Sequence, residues 1–147
     1  MKTFNVLFLC TGNSARSIIA EALVTTISQS RLIGYSAGSH PKGLVHHIAE
    51  ELAIEMGYPK EKLRSKSWNE FSHPEAPKMD FIITVCDNAK GEACPISPGH
   101  PATIHWGFPD PALTERSNEE QKKVFFDLRD QLKEKIQMLI NFTQYTK

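Results

Sequence analysis

The feature that most constrains this chain is a short apolar run, residues 4–9, which stops on Cys10 and gives way at once to Thr11-Gly12-Asn13-Ser14-Ala15-Arg16-Ser17. A nearly continuous apolar run of this length suits a strand buried on both faces, as in a parallel sheet. A glycine-containing, hydroxyl-rich turn that follows such a strand and opens a helix offers backbone N–H groups and a positive helix end to an anion. The rest of the chain continues the alternation. Ile19, Ala22, Leu23 and Ile27 recur at helical spacing and predict a first helix over residues 17–29. Residues 32–37 read as a second strand ended by Gly38, and Val45, Ile48, Ala49, Leu52, Ala53 and Met56 form a helical stripe stopped by Gly57 and Pro59. The stretch 59–79, with three prolines, reads as surface loop with one helical turn near 67–71. A third strand over 80–85 stops on Cys86, an irregular excursion follows over 87–101, and residues 102–106 form a fourth strand. The last helix starts at Ser117 with a capping box to Glu120 and is expected to bury Val124, Leu128, Leu132, Ile136 and Leu139. Alternating strands and helices predict right-handed crossovers in an α/β doubly wound parallel sheet, with ligands at the carboxyl ends of the strands. Cys10 and Cys86 both fall at such ends.

Length and charge narrow the function classes. A chain of 147 residues is expected to form one domain over 1–147. Seventeen basic and seventeen acidic residues are mixed along it, so no basic face argues for nucleic acid or an anionic membrane. No apolar run approaches the roughly 20 residues of a membrane span, and the start shows no cleavable signal pattern, which predicts a cytoplasmic protein. Three cysteines without an export signal fit reduced thiols used for chemistry better than a disulfide framework. Cys86, Cys94, His100 and His105 lack the tight pairs of a zinc site, and no metal site is expected. His46 and His47, at the start of an amphipathic helix, read as solvated.

The pattern C-x5-R from Cys10 to Arg16 carries the chemistry. A thiolate at the strand end can attack a tetrahedral oxyanion held by the backbone N–H groups of Thr11, Gly12, Asn13, Ser14, Ala15 and Arg16 and by the Arg16 fork. Ser17 is placed to donate to the sulfur. The helix end and the guanidinium are both expected to lower the Cys10 pKa below its usual value of about 8.5. The same residues also fit a buried structural cysteine beside a helix-cap arginine, and such a loop does not by itself tell phosphate from arsenate.

Cys10 to Ser17 together with Asp110-Pro111 resemble the low-molecular-weight protein tyrosine phosphatase family, and more closely its arsenate reductase branch. The resemblance continues in order through Tyr35-Ser36-Ala37-Gly38, Arg64-Ser65-Lys66-Ser67, Val85-Cys86-Asp87, Cys94-Pro95 and His105-Trp106-Gly107-Phe108. It implies a four-stranded sheet of order 2-1-3-4 flanked by helices, and it makes Asp110 the general acid that protonates a departing oxygen. Phosphatases of this fold place aromatic residues just after the Asp-Pro pair, where this chain has Ala112 and Leu113. Arsenate reduction needs two electrons, and the resemblance implies that Cys10, Cys86 and Cys94 supply them in turn, with phosphate and sulfate as competing oxyanions. Strand neighbours about 4.8 Å apart suit a Cys10–Cys86 disulfide. Thioredoxin, or glutathione with glutaredoxin, is then the expected reductant, and no cofactor is needed. Seven residues separate Cys86 from Cys94, one more than in the thioredoxin-coupled members, which keeps both reductants open. The alternatives are a phosphate monoester hydrolase of the phosphatase type and a non-catalytic oxyanion sensor. Some members bind potassium through residues matched by Asn13, Glu21 and Ser36 and through an aspartate, but Lys66 stands where the aspartate would, so no cation is assigned.

Overall fold

The computed structural model describes residues 2–86, 101–111 and 117–144. Four parallel strands, β1 (Phe4–Cys10), β2 (Leu32–Gly38), β3 (Phe81–Thr84) and β4 (Ala102–His105), form one sheet in the order β2-β1-β3-β4. The apolar run that opens the chain is therefore a central strand, and its side chains alternate between two packed faces. Val6, Phe8 and Cys10 join one core cluster, whereas Leu7 and Leu9 join another with Ala37, Phe71, Met79 and Ile82. Burial on both sides is why no polar residue interrupts residues 6–9.

The first cluster is closed by three helices, α1 (Arg16–Ile27), α2 (His47–Glu55) and α3 (Asn118–Gln144). Ile18, Ile19, Ile48, Phe125, Leu132 and Ile136 are fully buried there. Each such side chain contributes about 1.5–3 kcal/mol relative to exposure. Helix α1 lies close against β2, because a methyl at Gly34 would stand 2.5 Å from the Glu21 carbonyl oxygen. The helix ends before the expected residue 29, since Gln29 and Ser30 take left-handed backbone angles, φ 54° and 66°. At the start of α3 one half of the expected capping box forms, with Glu120 N–H donating to Ser117 Oγ at 3.2 Å, while the Glu120 carboxylate accepts from the Ser117 hydroxyl at 2.8 Å.

Three expectations change. Phe125, rather than Val124, heads the buried stripe of α3, because the larger ring one position on faces the start of α2 and stacks on His46 with centroids 4.8 Å apart. His46 is consequently half-buried and caps α2 through a hydrogen bond from Ile48 N–H to its Nδ1, while His47 alone is exposed. The connection 59–79 is more than surface loop. It contains short 3₁₀ turns at Lys60–Lys62 and Trp68–Phe71, covers the second core face with Phe71 and Met79, and pairs Ser67 with Gly38.

Candidate active site

Cys10 ends β1 and lies in register with Gly38 of β2. Between Cys10 and α1 the chain makes a tight loop in which Asn13 adopts φ 46°, a left-handed angle that asparagine tolerates better than most residues. Carbonyl groups of this loop are held outward by the segment after β2. His40 N–H donates to Thr11 O and Lys42 N–H to Gly12 O, both at 2.9 Å, and His46 N–H donates to Ser14 O at 2.8 Å. These bonds fix the outer edge of the loop against the segment that follows β2.

The cavity has a volume of about 170 Å³ and is lined by Cys10, Thr11, Gly12, Ser14, Ala15, Arg16, His40, Lys42 and Asp110. Arg16 Nη1 donates to Phe108 O at 2.8 Å, and Nη2 stands 3.9 Å from Asp110 Oδ2. A residue 94 positions downstream is thus delivered to the loop, as the reading of Asp110 requires. Asn13 is turned away from the cavity and fully buried: its Nδ2 donates to Ser17 Oγ at 2.8 Å and its Oδ1 accepts from Lys66 N–H at 2.8 Å. The hydrogen bond the structure gives Ser17 Oγ is with Asn13, and not with Cys10.

Cys86 follows β3 and meets the same loop. Its sulfur accepts from Thr11 N–H at 3.3 Å and lies 3.6 Å from Thr11 Oγ1. Cys10 and Cys86 are both buried cysteines outside any disulfide, and the two lie near each other. This proximity overturns the expectation of an acidified Cys10. The hydrogen bond with Cys86, then burial, push the Cys10 thiol far above its ordinary pKa, with Cys86's charge adding to them. Arg16 and the Gly12 N–H do pull it down, as the sequence suggests, but they are outweighed. A second sulfur in the same dry site makes the Cys10 thiolate harder to form. Cys94, Ala112 and Leu113 lie outside the described residues.

His40 and Lys42 are the cavity residues that sequence reasoning missed. Their only signal was position, directly after the strand end that pairs with Cys10. The Lys42 stem lies over Gly12, close enough that a methyl there would be 3.2 Å from Cε. His46 stands nearby. Burial lowers its pKa, with His47 and Lys42 acting the same way and Asp110 opposing them.

A cysteine at a strand end, a C-x5-R loop around a small cavity, and a carboxyl group beside the arginine define a class of enzymes that attack tetrahedral oxyanions with a thiol. The model of the low molecular weight phosphotyrosine protein phosphatase family matches residues 5–146, and the arsenate reductase of Oceanobacillus iheyensis is 33% identical over 136 residues, covering 90% of this chain and 92% of its own length. The chain belongs to this family, in the branch that carries the arsenate reductases. Among solved structures, an arsenate reductase from Archaeoglobus fulgidus superposes with a TM-score of 0.64 at 26% identity, over 89% of this chain and 98% of that one. A low molecular weight protein tyrosine phosphatase from T. tengcongensis shares the fold with a TM-score of 0.72 at 21% identity, over 95% and 99% of the two chains.

Proposed function

We propose that this protein reduces arsenate to arsenite, with Cys10 as nucleophile, Cys86 as the thiol that closes the first disulfide and Cys94 as the thiol that reopens it. The observation that supports the reading is the Cys10–Cys86 pair, two buried cysteines near each other at the ends of directly paired strands, with Cys86 Sγ bonded to the loop at Thr11. A phosphate ester hydrolase has use for one of them. A two-electron reduction has use for both.

The steps balance as follows. Cys10 sulfur forms a bond to arsenic while an arsenate oxygen departs as water, protonated by Asp110. Cys86 thiolate then attacks Cys10 sulfur. The sulfur–arsenic bond breaks with its electron pair going to arsenic, which leaves as arsenite, and a Cys10–Cys86 disulfide remains. Cys94 attacks Cys86, freeing Cys10 and passing the disulfide to thioredoxin or to glutathione with glutaredoxin. Arg16, the loop amides of residues 11–16 and Lys42 balance the oxyanion's charge throughout. Cys86 and burial disfavour the resting Cys10 thiolate, and Arg16 and the Gly12 N–H favour it. Reduced thiols of this kind suit a cytoplasmic setting, and among the described residues no helix is long and apolar enough to cross a membrane.

Arsenite release is followed with arsenate and either reductant, for the native protein and for Cys86→Ser. The variant is expected to lose steady-state arsenate turnover while keeping slow aryl phosphate hydrolysis by Cys10. Undiminished arsenate turnover in Cys86→Ser overturns the relay. Efficient phosphotyrosine hydrolysis without arsenite production selects the phosphatase alternative.

A further inference from the structure

Beneath the loop, on the side away from the cavity, lies a buried polar cluster that the reaction does not touch. Glu21 of α1 is 3% exposed, and Lys66, from the connection between α2 and β3, is 7% exposed. Ser36 Oγ donates to Glu21 Oε1 at 2.5 Å, and the Tyr58 hydroxyl donates to Glu21 Oε2. The Lys66 ammonium is 3.9 Å from Glu21 Oε1 and 3.5 Å from Ser36 Oγ, and it donates to Arg64 O at 2.9 Å. One residue therefore makes two kinds of contact. Its side chain neutralises Glu21, and its backbone N–H grips Asn13, which in turn holds Ser17.

The residues present do not fit a free monovalent cation. Such an ion needs oxygen ligands whose charge or dipoles are not already taken up by another cation, whereas here a single carboxylate already faces a tethered ammonium. A second cation would leave uncompensated positive charge in a dry space, which is strongly unfavourable. We infer that Lys66 is a built-in cation, a positioning residue whose ammonium takes the place a dissolved potassium ion would occupy among Asn13, Glu21 and Ser36, so that the loop's geometry is independent of monovalent salt. The burial of both charges is consistent with this. Desolvation raises the Glu21 pKa and lowers that of Lys66, and each charge opposes the shift of the other.

The test compares potassium chloride with choline chloride at equal ionic strength, reading the thermal midpoint and the dissociation constant for inorganic phosphate. Neither readout depends on arsenate being the substrate. The native protein is expected to give the same midpoint and the same phosphate affinity in both salts. Lys66→Asp, which restores a second carboxylate, is expected to weaken phosphate binding about tenfold in choline and to regain it in potassium, with a parallel rise in midpoint. A potassium-dependent rise in either quantity for the native protein overturns the inference, as does a folded Lys66→Asp that ignores potassium. If Lys66→Asp folds only in potassium, the inference is upheld. If it folds in neither salt, Lys66→Ala takes its place with the same two expected results.

Discussion

Gly38→Ala is expected to reduce activity far out of proportion to stability. Gly38 closes β2 beside Cys10, and its N–H donates to Lys66 O at 2.9 Å. A methyl group there would lie 2.5 Å from Thr11 O, 2.9 Å from Cys10 O and 3.1 Å from Asn13 Cβ. Reaching ordinary contact requires the Thr11 carbonyl to retreat by about 1 Å. That carbonyl is held by His40 N–H at 2.9 Å, so its retreat turns the Thr11–Gly12 peptide at the cavity wall. Displacements of this size typically cost on the order of a hundredfold in rate. Overpacking alone is expected to cost about 1–3 kcal/mol, roughly 2–12 °C in melting temperature for a chain of this size. Gly34→Ala is the control, since its methyl would meet Glu21 O at 2.5 Å and Val24 Cγ1 at 2.6 Å, an equal clash between β2 and α1 rather than at the loop. It should lower the melting temperature comparably without the hundredfold loss of rate per folded molecule. Single-turnover arsenite formation and calorimetric phosphate binding, alongside thermal melts, decide the matter. Native kcat/KM in Gly38→Ala, or an equal rate loss in Gly34→Ala, refutes the reasoning.

Other expectations follow from the same geometry. Cys86→Ala removes the largest influence raising the Cys10 pKa and leaves Arg16 and the Gly12 N–H to lower it. The pH midpoint for Cys10 alkylation by iodoacetamide should therefore fall by about one unit or more, making the reaction near pH 7 about tenfold faster; peptide mapping identifies the alkylated thiol, and an unmoved midpoint contradicts the influence assigned to Cys86. Lys42→Met removes a cation from the cavity rim and should raise KM for arsenate about three- to tenfold with kcat nearly unchanged. The effect should shrink at high salt, and a KM equal to the native value at low ionic strength argues against any contact between Lys42 and the anion.

How much was legible beforehand depends on the range of the forces involved. The strands and helices were readable because hydrophobic periodicity is local: residues 6–9 have no polar interruption, and α3 repeats an apolar residue every three or four positions. The C-x5-R loop was legible for the same reason, since a strand end, a tight turn and a helix start are contiguous in the chain. Asp110 needed more than spacing, because an Asp-Pro pair is ordinarily a turn; only the resemblance carried it, and its nearness to Arg16 arises from a fold that joins positions 94 residues apart. Val124 and Phe125 differ by one position on a helix, a rotation that only the facing ring of His46 settles.

The sequence by itself determined an α/β sheet with a thiol and an arginine closing one short loop at a strand end, because those features are written within a few consecutive residues. Tertiary structure decided the electrostatics of that loop. Cys10 is less acidic than its neighbours in sequence suggest because Cys86, 76 residues away, and burial oppose its ionisation. Asn13 is held by Lys66 rather than aimed at substrate, and Lys42 and His40 complete the rim. A pKa and a local potential are sums over every charge and dipole within a few ångströms, and folding draws those groups from separate parts of the chain. The loop's shape is local, but its chemistry is collective.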